Sequence, residues 1–364
     1  MTTTKLNTTM LEVKQQYSKG RKRKILVILS IFLALIVTFC VAISFGAGSP
    51  SLDAAIRVIS AKIFTFLQLN PGSALEQTII WNIRLPRVVL AIVAGAGLAA
   101  AGATMQGILR NPLVSSYILG ISSAAGFGAA LAIVFGVGVI SIFGGYLVVG
   151  NAFIFCLIAM VIVYLIARIR GMSSETVILA GVAVGLLFSA LLSLIQYVAP
   201  QEKALQAIVF WLMGGLHTAN WDNILVCVPI VAITMVLMVL QAWNINIMSM
   251  GEDVATSLGV NSKRVLSINM VLETLVTASI IAFTGIIGFV DLVAPHIARM
   301  LIGNDHRYLI PCSMVIGSLT LLAADTVGRL ILMPTEIPVG IVTSLLGVPF
   351  FIYLLVNKRR QSFR

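Results

Sequence analysis

Long stretches without a charged residue dominate the pattern of this chain. The first, from Ile25 to Ala47, follows the basic segment KGRKRK and exceeds the ~7–15 apolar residues of a secretory signal. Because about 20 apolar residues cross a bilayer core as a helix, such runs predict membrane helices. We predict ten, over residues 25–47, 88–109, two within 113–167, 176–198, 223–242, 265–284, 287–302, 308–332 and 339–356.

Glycine and proline mark several of the predicted helix ends. The segment RLPR at 84–87 leads into the second helix, since proline is tolerated in a first helical turn. Glycines at 136, 138, 144 and 145 predict the turn between the third and fourth helices, and Pro200 ends the fifth. Gly285 and Gly288 predict a break before a short eighth helix.

The basic residues set the predicted orientation. With the N-terminus in the cytoplasm, eighteen of the 24 Lys and Arg fall in cytoplasmic segments, as the positive-inside bias requires. The sequence then predicts a basic cytoplasmic tail at 1–24, a ten-helix domain at 25–357 and a second basic cytoplasmic tail at 358–364. Helices 2–5 and 7–10 begin on opposite sides, which is the pattern of an inverted repeat.

Composition supports an all-α integral membrane protein. Hydrophobic residues make up 59% of the 364 residues and charged residues 10%, against roughly 25% charged in a soluble domain. The unbroken apolar runs exclude a membrane β-barrel, whose strands alternate. The net charge of +11 is therefore attributed to the positive-inside bias, and no nucleic-acid partner is predicted.

The sequence carries no motif of a known catalytic centre. It lacks the P-loop pattern GxxxxGKS/T, HExxH and GxSxG, and its three histidines have no metal-ligand spacing. The four cysteines lie in apolar runs without CxxC spacing, as expected of small buried hydrophobes. Neither an enzyme nor a cofactor or metal site is predicted.

One polar segment stands out, GEDVATSLGVN at 251–261 on the predicted cytoplasmic side. Glu252 and Asp253 stand where a helix would begin, and acids there complement the helix dipole. Gly259 and Asn261 supply a stop. Such a short surface helix either presents a surface to a soluble partner or serves as a capped, solvated connector.

This segment resembles the coupling helices of the iron-siderophore and vitamin B12 class of ABC importer permeases. Further stretches are similar to signatures of that family in the family's order, over about residues 25–357. They are RLPRVVLAIVAGAGLAAAGATMQGILRNPLVSSYILGISSAAG (84–126), WLMGGL (211–216), FTGIIGFVDLVAPHIARMLIGNDHR (283–307), LLAADTVGRL (321–330) and EIPVGIVTSLLGVPFFIYLL (336–355).

The resemblance implies a set of partners. Family members form a homo- or heterodimer of ten-helix permease subunits in a prokaryotic cytoplasmic membrane. Two ATP-binding subunits lie beneath this dimer, and an extracytoplasmic substrate-binding protein docks outside. The ATPase-coupling positions carried over to this chain are Glu252, Asp253, Ala255, Leu258 and Gly259.

Two further groups are implied by position. Arg84, Arg87 and Arg329 match positions that pair with acids of the binding protein; the alternatives are interfacial snorkelling and, for the last, a pair with Asp325. The second group matches the cytoplasmic gate, with ordinary turn and helix-cap chemistry as the alternative. Its members are Asn111, Leu113, Ser173 and Ser174.

Asp291 departs from the family pattern, which usually has glycine at this position of GFVDLV. A carboxylate within a membrane helix is costly. We therefore expect Asp291 to line a wet cavity or to pair with a partner or a neighbouring subunit.

The sequence thus favours a non-catalytic permease subunit that imports ferric siderophores with ATP hydrolysed by separate chains. Cobalamin, haem and molybdate are alternative cargoes within the family. An ion-coupled secondary transporter is a different class of hypothesis, with Glu273, Asp291 and Asp325 as its candidate membrane acids. A passive channel is a third, but it would give the segment at 251–261 no purpose.

Overall fold

The computed structural model describes residues 2–46, 51–65, 70–138, 146–199 and 202–357, and all regular structure in these residues is helical. A π-helical turn, Thr78–Arg84, joins α3 to α4. The helices are α1 Thr2–Ser44, α2 Leu52–Ile63, α3 Ala74–Gln77, α4 Leu85–Ile108, α5 Ile121–Phe135, α6 Leu147–Ile169, α7 Ser174–Val198, α8 Glu202–Leu212, α9 Trp221–Leu240, α10 Ala242–Met248, α11 Glu252–Ser257, α12 Ser262–Thr284, α13 Val290–Ile302, α14 His306–Leu330 and α15 Val339–Asn357.

Each of the ten predicted segments coincides with one of these helices. Within the described part of the chain, seven are long and apolar enough to cross a membrane: those within α1, α3 to α4, α6, α7, α9, α12 and α14. Two shorter apolar helices, Ile121–Phe135 and Val339–Tyr353, and the 13-residue α13 correspond to the other three segments. The membrane character of the protein is therefore carried by many helices.

Two helices begin earlier than the sequence predicts. α1 starts at Thr2, so the basic stretch before Ile25 continues the first membrane helix. The helix that holds RLPR starts at Ala74, where Ser73 and Glu76 form a capping box. Pro86 follows the π-helical turn, and such wide turns accommodate a proline inside a helix. The tail 358–364, the glycines at 144 and 145 and Pro200 lie outside the described residues.

Three helices form the centre of the molecule. α4, α12 and α14 bury most of their length, whereas α1, α6, α7 and α9 bury a third of theirs or less. α4 and α14 approach so closely that a Cβ on Gly317 would lie 2.2 Å from the carbonyl oxygen of Gly95. Small residues permit this contact, and the outer helices present apolar side chains to the surroundings.

Breaks in the helices meet near the middle of the bundle. The break after α12 turns at Gly285, whose φ is +67°, and Phe289 at φ +69° precedes α13. Gly215 donates its N–H to the Thr284 carbonyl at 2.7 Å. Since a Cβ on Gly340 would lie 2.2 Å from the Met213 carbonyl oxygen, the start of α15 packs against the same segment.

Candidate functional site

The segment predicted as a coupling helix forms a short helix on the surface. α11 begins at Glu252 after Gly251 and buries only Ala255. Leu258 is 60% exposed, although it is a large apolar side chain. Gly259 adopts φ +79° with open space around its Cβ position. The loop can therefore make a turn that only glycine adopts freely, and it leaves an apolar side chain uncovered.

Arg110 lies between this surface helix and the start of α7. Its guanidinium is 3.8 Å from the Glu252 carboxylate and attracts Glu175 in the first turn of α7. Arg110 itself has φ 51°, a conformation that is uncommon for a residue with a Cβ. Sequence reasoning did not single out Arg110, although it directly precedes the quoted NPL segment.

The four predicted gate residues occupy turn and cap positions. Asn111 accepts the N–H of Leu113 at 3.0 Å, and Leu113 is 38% exposed. Ser173 caps α7 by accepting the N–H of Thr176 at 3.2 Å, and Ser174 is the first residue of that helix and is buried. These contacts agree with local turn and cap chemistry, and nothing in them tests a gating role.

The three predicted docking arginines lie together but are bonded within the chain. Arg84 and Arg329 are 4% and 7% exposed. Arg84 donates to the carbonyl of Ile43, and Arg329 donates to that of Ala42 at 3.1 Å. Both carbonyls belong to the last turn of α1, where cations complement the helix dipole. These two side chains therefore fasten α1 to the centre of the bundle.

Arg87 joins an ion network with Asp325. Arg87 donates from Nε and Nη2 to Asp325 at 2.8–3.2 Å, and from Nη1 to Glu336 at 2.6 Å. The Nε of Arg329 lies 3.1 Å from Asp325 Oδ2, at an angle too poor for a hydrogen bond. The expected i,i+4 pair is thus present, mainly as a charge contact. Glu336, which is 47% exposed, was not singled out from the sequence.

Asp291 lies inside the chain. It is 3% exposed, and its Oδ2 accepts the N–H of Ser116 at 2.8 Å. A Cβ on Gly102 of α4 would lie 1.7 Å from the Asp291 carbonyl oxygen. Within this chain, α4 and the segment before α5 enclose the side chain, and its expected role as a cavity-lining or pairing acid stays a prediction.

A cavity of about 500 Å³ opens beside the break between α12 and α13. Tyr117 and Ser344 supply hydroxyl groups to a largely apolar lining that also includes Met213, Ile286 and Gly340. Such a wall offers a solute few polar anchors. Among the described residues, no group of three or more His, Cys, Asp or Glu is placed to hold a metal ion.

The sequence also did not reveal a polar cluster at the start of α14. We call it the clasp; its members are Trp243, Asn246, Asp305, His306 and Arg307. Asn246 of α10 donates to Asp305 Oδ1 at 2.8 Å and accepts the N–H of His306 at 2.8 Å. Arg307 donates to Asp305 Oδ2 at 2.7 Å and stacks 5.1 Å above the ring centroid of Trp243. The clasp ties α10, which precedes α11, to a central helix. Its two parts, 243–246 and 305–307, are adjacent only in the fold.

Opposing effects act on the pKa of the Asp305 carboxyl within this clasp. Burial raises its pKa, but hydrogen bonds from Arg307 and Asn246 outweigh burial and bring the pKa down to about 2. Asp305 is therefore ionised at every physiological pH, and the clasp keeps its charge.

Comparison with known proteins decides the family. The model of the FecCD transport family matches residues 34–357. This chain belongs to the FecCD transport family. It is thus a multi-pass membrane permease of the ABC importer type, as the resemblance implied. Family members are transport components and not catalysts.

Two relatives and one solved structure cover nearly all of the chain. The Fe(3+)-citrate import system permease protein YfmE of Bacillus subtilis is 36% identical over 95% of this chain and 99% of its own. The molybdate import system permease protein MolB of Haemophilus influenzae is 36% identical over 92% and 96%. A metal-chelate type ABC transporter in an inward-facing conformation matches with a TM-score of 0.79 and 33% identity, over 91% and 98%.

Proposed function

We propose that this FecCD-family chain moves ferric siderophores across a prokaryotic cytoplasmic membrane, driven by ATP that separate subunits hydrolyse. The observation that carries the proposal is the family match over residues 34–357. An iron-citrate permease and a metal-chelate transporter among its relatives favour iron. The molybdate relative keeps molybdate as an alternative cargo, beside cobalamin and haem.

The experiment is uptake into proteoliposomes that contain this chain with its ATP-binding subunits and substrate-binding protein. We expect uptake of labelled ferric siderophore that requires ATP inside and stops with vanadate. Labelled molybdate, cobalamin and haem are the matched controls. Uptake that follows an imposed ion gradient without ATP would instead indicate a secondary transporter, and uptake without either would indicate a channel.

We propose that two copies of this chain, or this chain and a homologous one, enclose the path. Each would cross the membrane ten times with both termini in the cytoplasm, and helices 2–5 and 7–10 would form an inverted repeat. The coincidence of every predicted segment with a helix supports ten crossings. Leu345 of α15 is apolar and 68% exposed, and it also lines the cavity. An apolar side chain exposed at this position supports an interface on that face.

We propose that α11 and the turn after it enter a groove of the ATP-binding subunit. Glu252, Asp253, Leu258 and Gly259 would face this partner, and the buried Ala255 would seat α11 on the chain. The exposed apolar side chains of Met250, Val254 and Leu258 support this role, since a group of exposed apolar residues marks an interaction site whereas a single one does not.

A single substitution tests the coupling role. Leu258→Arg should abolish co-purification of the ATP-binding subunit, because a charge replaces an apolar contact, while the chain still inserts. Leu258→Met keeps size and polarity and is the control. Normal co-purification of the Arg variant would remove α11 from the interface.

We propose that the predicted docking positions Arg84, Arg87 and Arg329 mark the outer docking surface. The Nη1 edge of Arg87 and the exposed Glu336 would be its reachable part, and the buried Arg84 and Arg329 would hold the end of α1 beneath it. Arginine binds a carboxylate through a rigid fork that lysine lacks. Arg87→Lys should therefore weaken binding of the substrate-binding protein about tenfold or more, measured on permease in nanodiscs. Lys62→Arg is the control, and unchanged affinity of Arg87→Lys would count against docking.

We propose that the cytoplasmic gate consists of Asn111, Leu113, Ser173 and Ser174. Arg110 supports this assignment, because it links the coupling segment to the helix that starts at Ser174. Cysteines at 113 of two copies should crosslink in the resting complex and less so with trapped ATP. A crosslink yield independent of nucleotide would contradict the gate.

A further inference from the structure

Two buried carboxyl groups meet around Ser116 in the centre of the bundle. Glu273 in α12 is 1% exposed, and Asp291 at the start of α13 is 3% exposed. The two acids interact electrostatically, and each also interacts with the Ser116 side chain. Neither the coupling surface nor the docking surface uses them.

Hydroxyl groups fill the space around the Glu273 carboxylate. Thr277 Oγ1 lies 3.3 Å from Glu273 Oε1, and Thr274 Oγ1 lies 3.4 Å from Oε2. Ser116 Oγ lies 3.4 Å from Thr277 Oγ1. These contacts are long for hydrogen bonds to an ionised carboxylate, which are usually shorter than neutral ones.

Asp291 has one good donor and one empty position. Its Oδ2 accepts the N–H of Ser116, and amides of the first turn of α13 lie nearby. These groups and the helix dipole can stabilise one negative charge. Its Oδ1 is fully buried and has no hydrogen-bond partner, so a buried acceptor atom lacks a donor.

Among the described residues, no basic side chain acts on either acid of the pair. On the helices that pack against α12 and α13, Arg87 and Arg329 bind Asp325, and Arg307 binds Asp305. Arg299, two turns along α13, donates to Gln106. The remaining titratable neighbours are Tyr117, which faces Asp291, and Cys156, which faces Glu273; neither is a cation.

We propose that Glu273 and Asp291 form a proton-binding site in which the pair holds one proton at neutral pH. Two adjacent carboxylates without a counter-ion cannot both stay ionised in an apolar interior. The proton comes from water and forms one O–H bond on either carboxyl, because the titration belongs to the pair. The remaining negative charge is stabilised by the Ser116 N–H and by the backbone amides at the start of α13.

The site adjoins the cavity and the segment after α4. Tyr117, directly after Ser116, and Gly288, three residues before Asp291, both line the cavity. Through the Ser116 contact, the pair therefore joins the segment at 111–120 to the start of α13. This inference stands on the buried pair and does not depend on cargo or ATP coupling.

Infrared difference spectroscopy on the full-length permease in nanodiscs tests the proposal. At neutral pH, wild type minus the double variant Asp291→Asn with Glu273→Gln should show the carbonyl stretch of a protonated carboxyl group, shifted in D₂O. The control double variant Asp53→Asn with Glu202→Gln replaces one exposed Asp and one exposed Glu. Its difference should show only ionised carboxylates.

If removal of the pair changes only carboxylate bands, both acids are ionised and the proposal is wrong. The same holds if those bands shift when Na⁺ or Ca²⁺ is added, since a metal ion would then neutralise the pair. Should the double variant not fold, Asp291→Gly with Glu273→Gln provides the same comparison.

Thermal stability gives an independent readout. The native pair holds a proton that the unfolded chain releases above pH about 5, so wild-type stability should fall as the pH rises from about 5 to 8. The melting temperature of the double variant should change less over that range than that of wild type. Equal slopes for wild type and the double variant would overturn the proposal.

Discussion

Individual charged residues help to determine which helices pair in an interior that is otherwise mainly apolar. Asp325 is buried and interacts with both Arg87 and Arg329, whereas Glu336 binds the same Arg87 from an exposed position. A buried ion pair costs more to break than to replace entirely, because the remaining charge loses its partner. The two acids around Arg87 should therefore differ sharply in importance.

Replacing Asp325 by Asn should destabilise the chain by roughly 3 kcal/mol, because two largely buried arginines lose their counter-charge. Glu336→Gln is the matched control and should cost below about 1 kcal/mol, since Glu336 is exposed. Thermal unfolding in detergent measures both. Similar losses for the two variants would show that burial of Asp325 does not decide its role.

The Asp305 clasp predicts an acid sensitivity. The pKa of Asp305, about 2, lies below the ordinary value of 3.8. Ionised Asp305 therefore adds stability above pH about 4, and this stability is lost as the pH falls towards 2. Wild-type melting temperature should therefore drop more steeply from pH 4 to 2 than that of Asp305→Asn. Parallel curves would mean that the clasp adds no stability.

Among the helices, the contact between α4 and α14 organises the bundle. Backbone meets backbone where Gly95 faces Gly317, a geometry that larger residues exclude. The arginines on these two helices then hold the end of α1. Close packing and polar fastening thus act on the same pair of helices.

Gly317→Val should destabilise the chain by about 3 kcal/mol or more, since overpacking a tight contact forces the backbone apart. Gly20→Val is the control, because it makes the same change in a helix with no atom within 4 Å. Detergent-extracted yield and melting temperature report the difference. A normal melting temperature for Gly317→Val would mean that α4 and α14 can separate without loss.

For the complete chain, the charge bias and the helix order together predict both termini in the cytoplasm. Single cysteines at Lys22 and Asp253 should react with a membrane-impermeant reagent only from the cytoplasmic side. Cysteines at Asp53 and Lys203 should react only from outside. All four positions are exposed, and the native cysteines are replaced beforehand. Labelling of Asp253 from outside would contradict the ten-crossing topology.

The helical membrane character, the positions of the ten segments and the family were all predictable from the amino-acid pattern alone. These properties follow from uncharged runs of fixed length and from motifs in a fixed order, both local along the chain. The roles of Arg84 and Arg329 were less predictable. From the sequence they read as outward-facing residues, because nothing local indicates that the end of α1 lies beside them.

Which distant groups meet is fixed only by the way the helices pack. Asp291 pairs with Ser116, 175 residues away, and Asn246 meets Asp305 across 59 residues. No periodicity encodes such contacts, because they depend on how helices cross and where they break. The physical reason is that an apolar run fixes a helix in the membrane but leaves its rotation and its neighbours to close packing and to the pairing of its few buried polar groups.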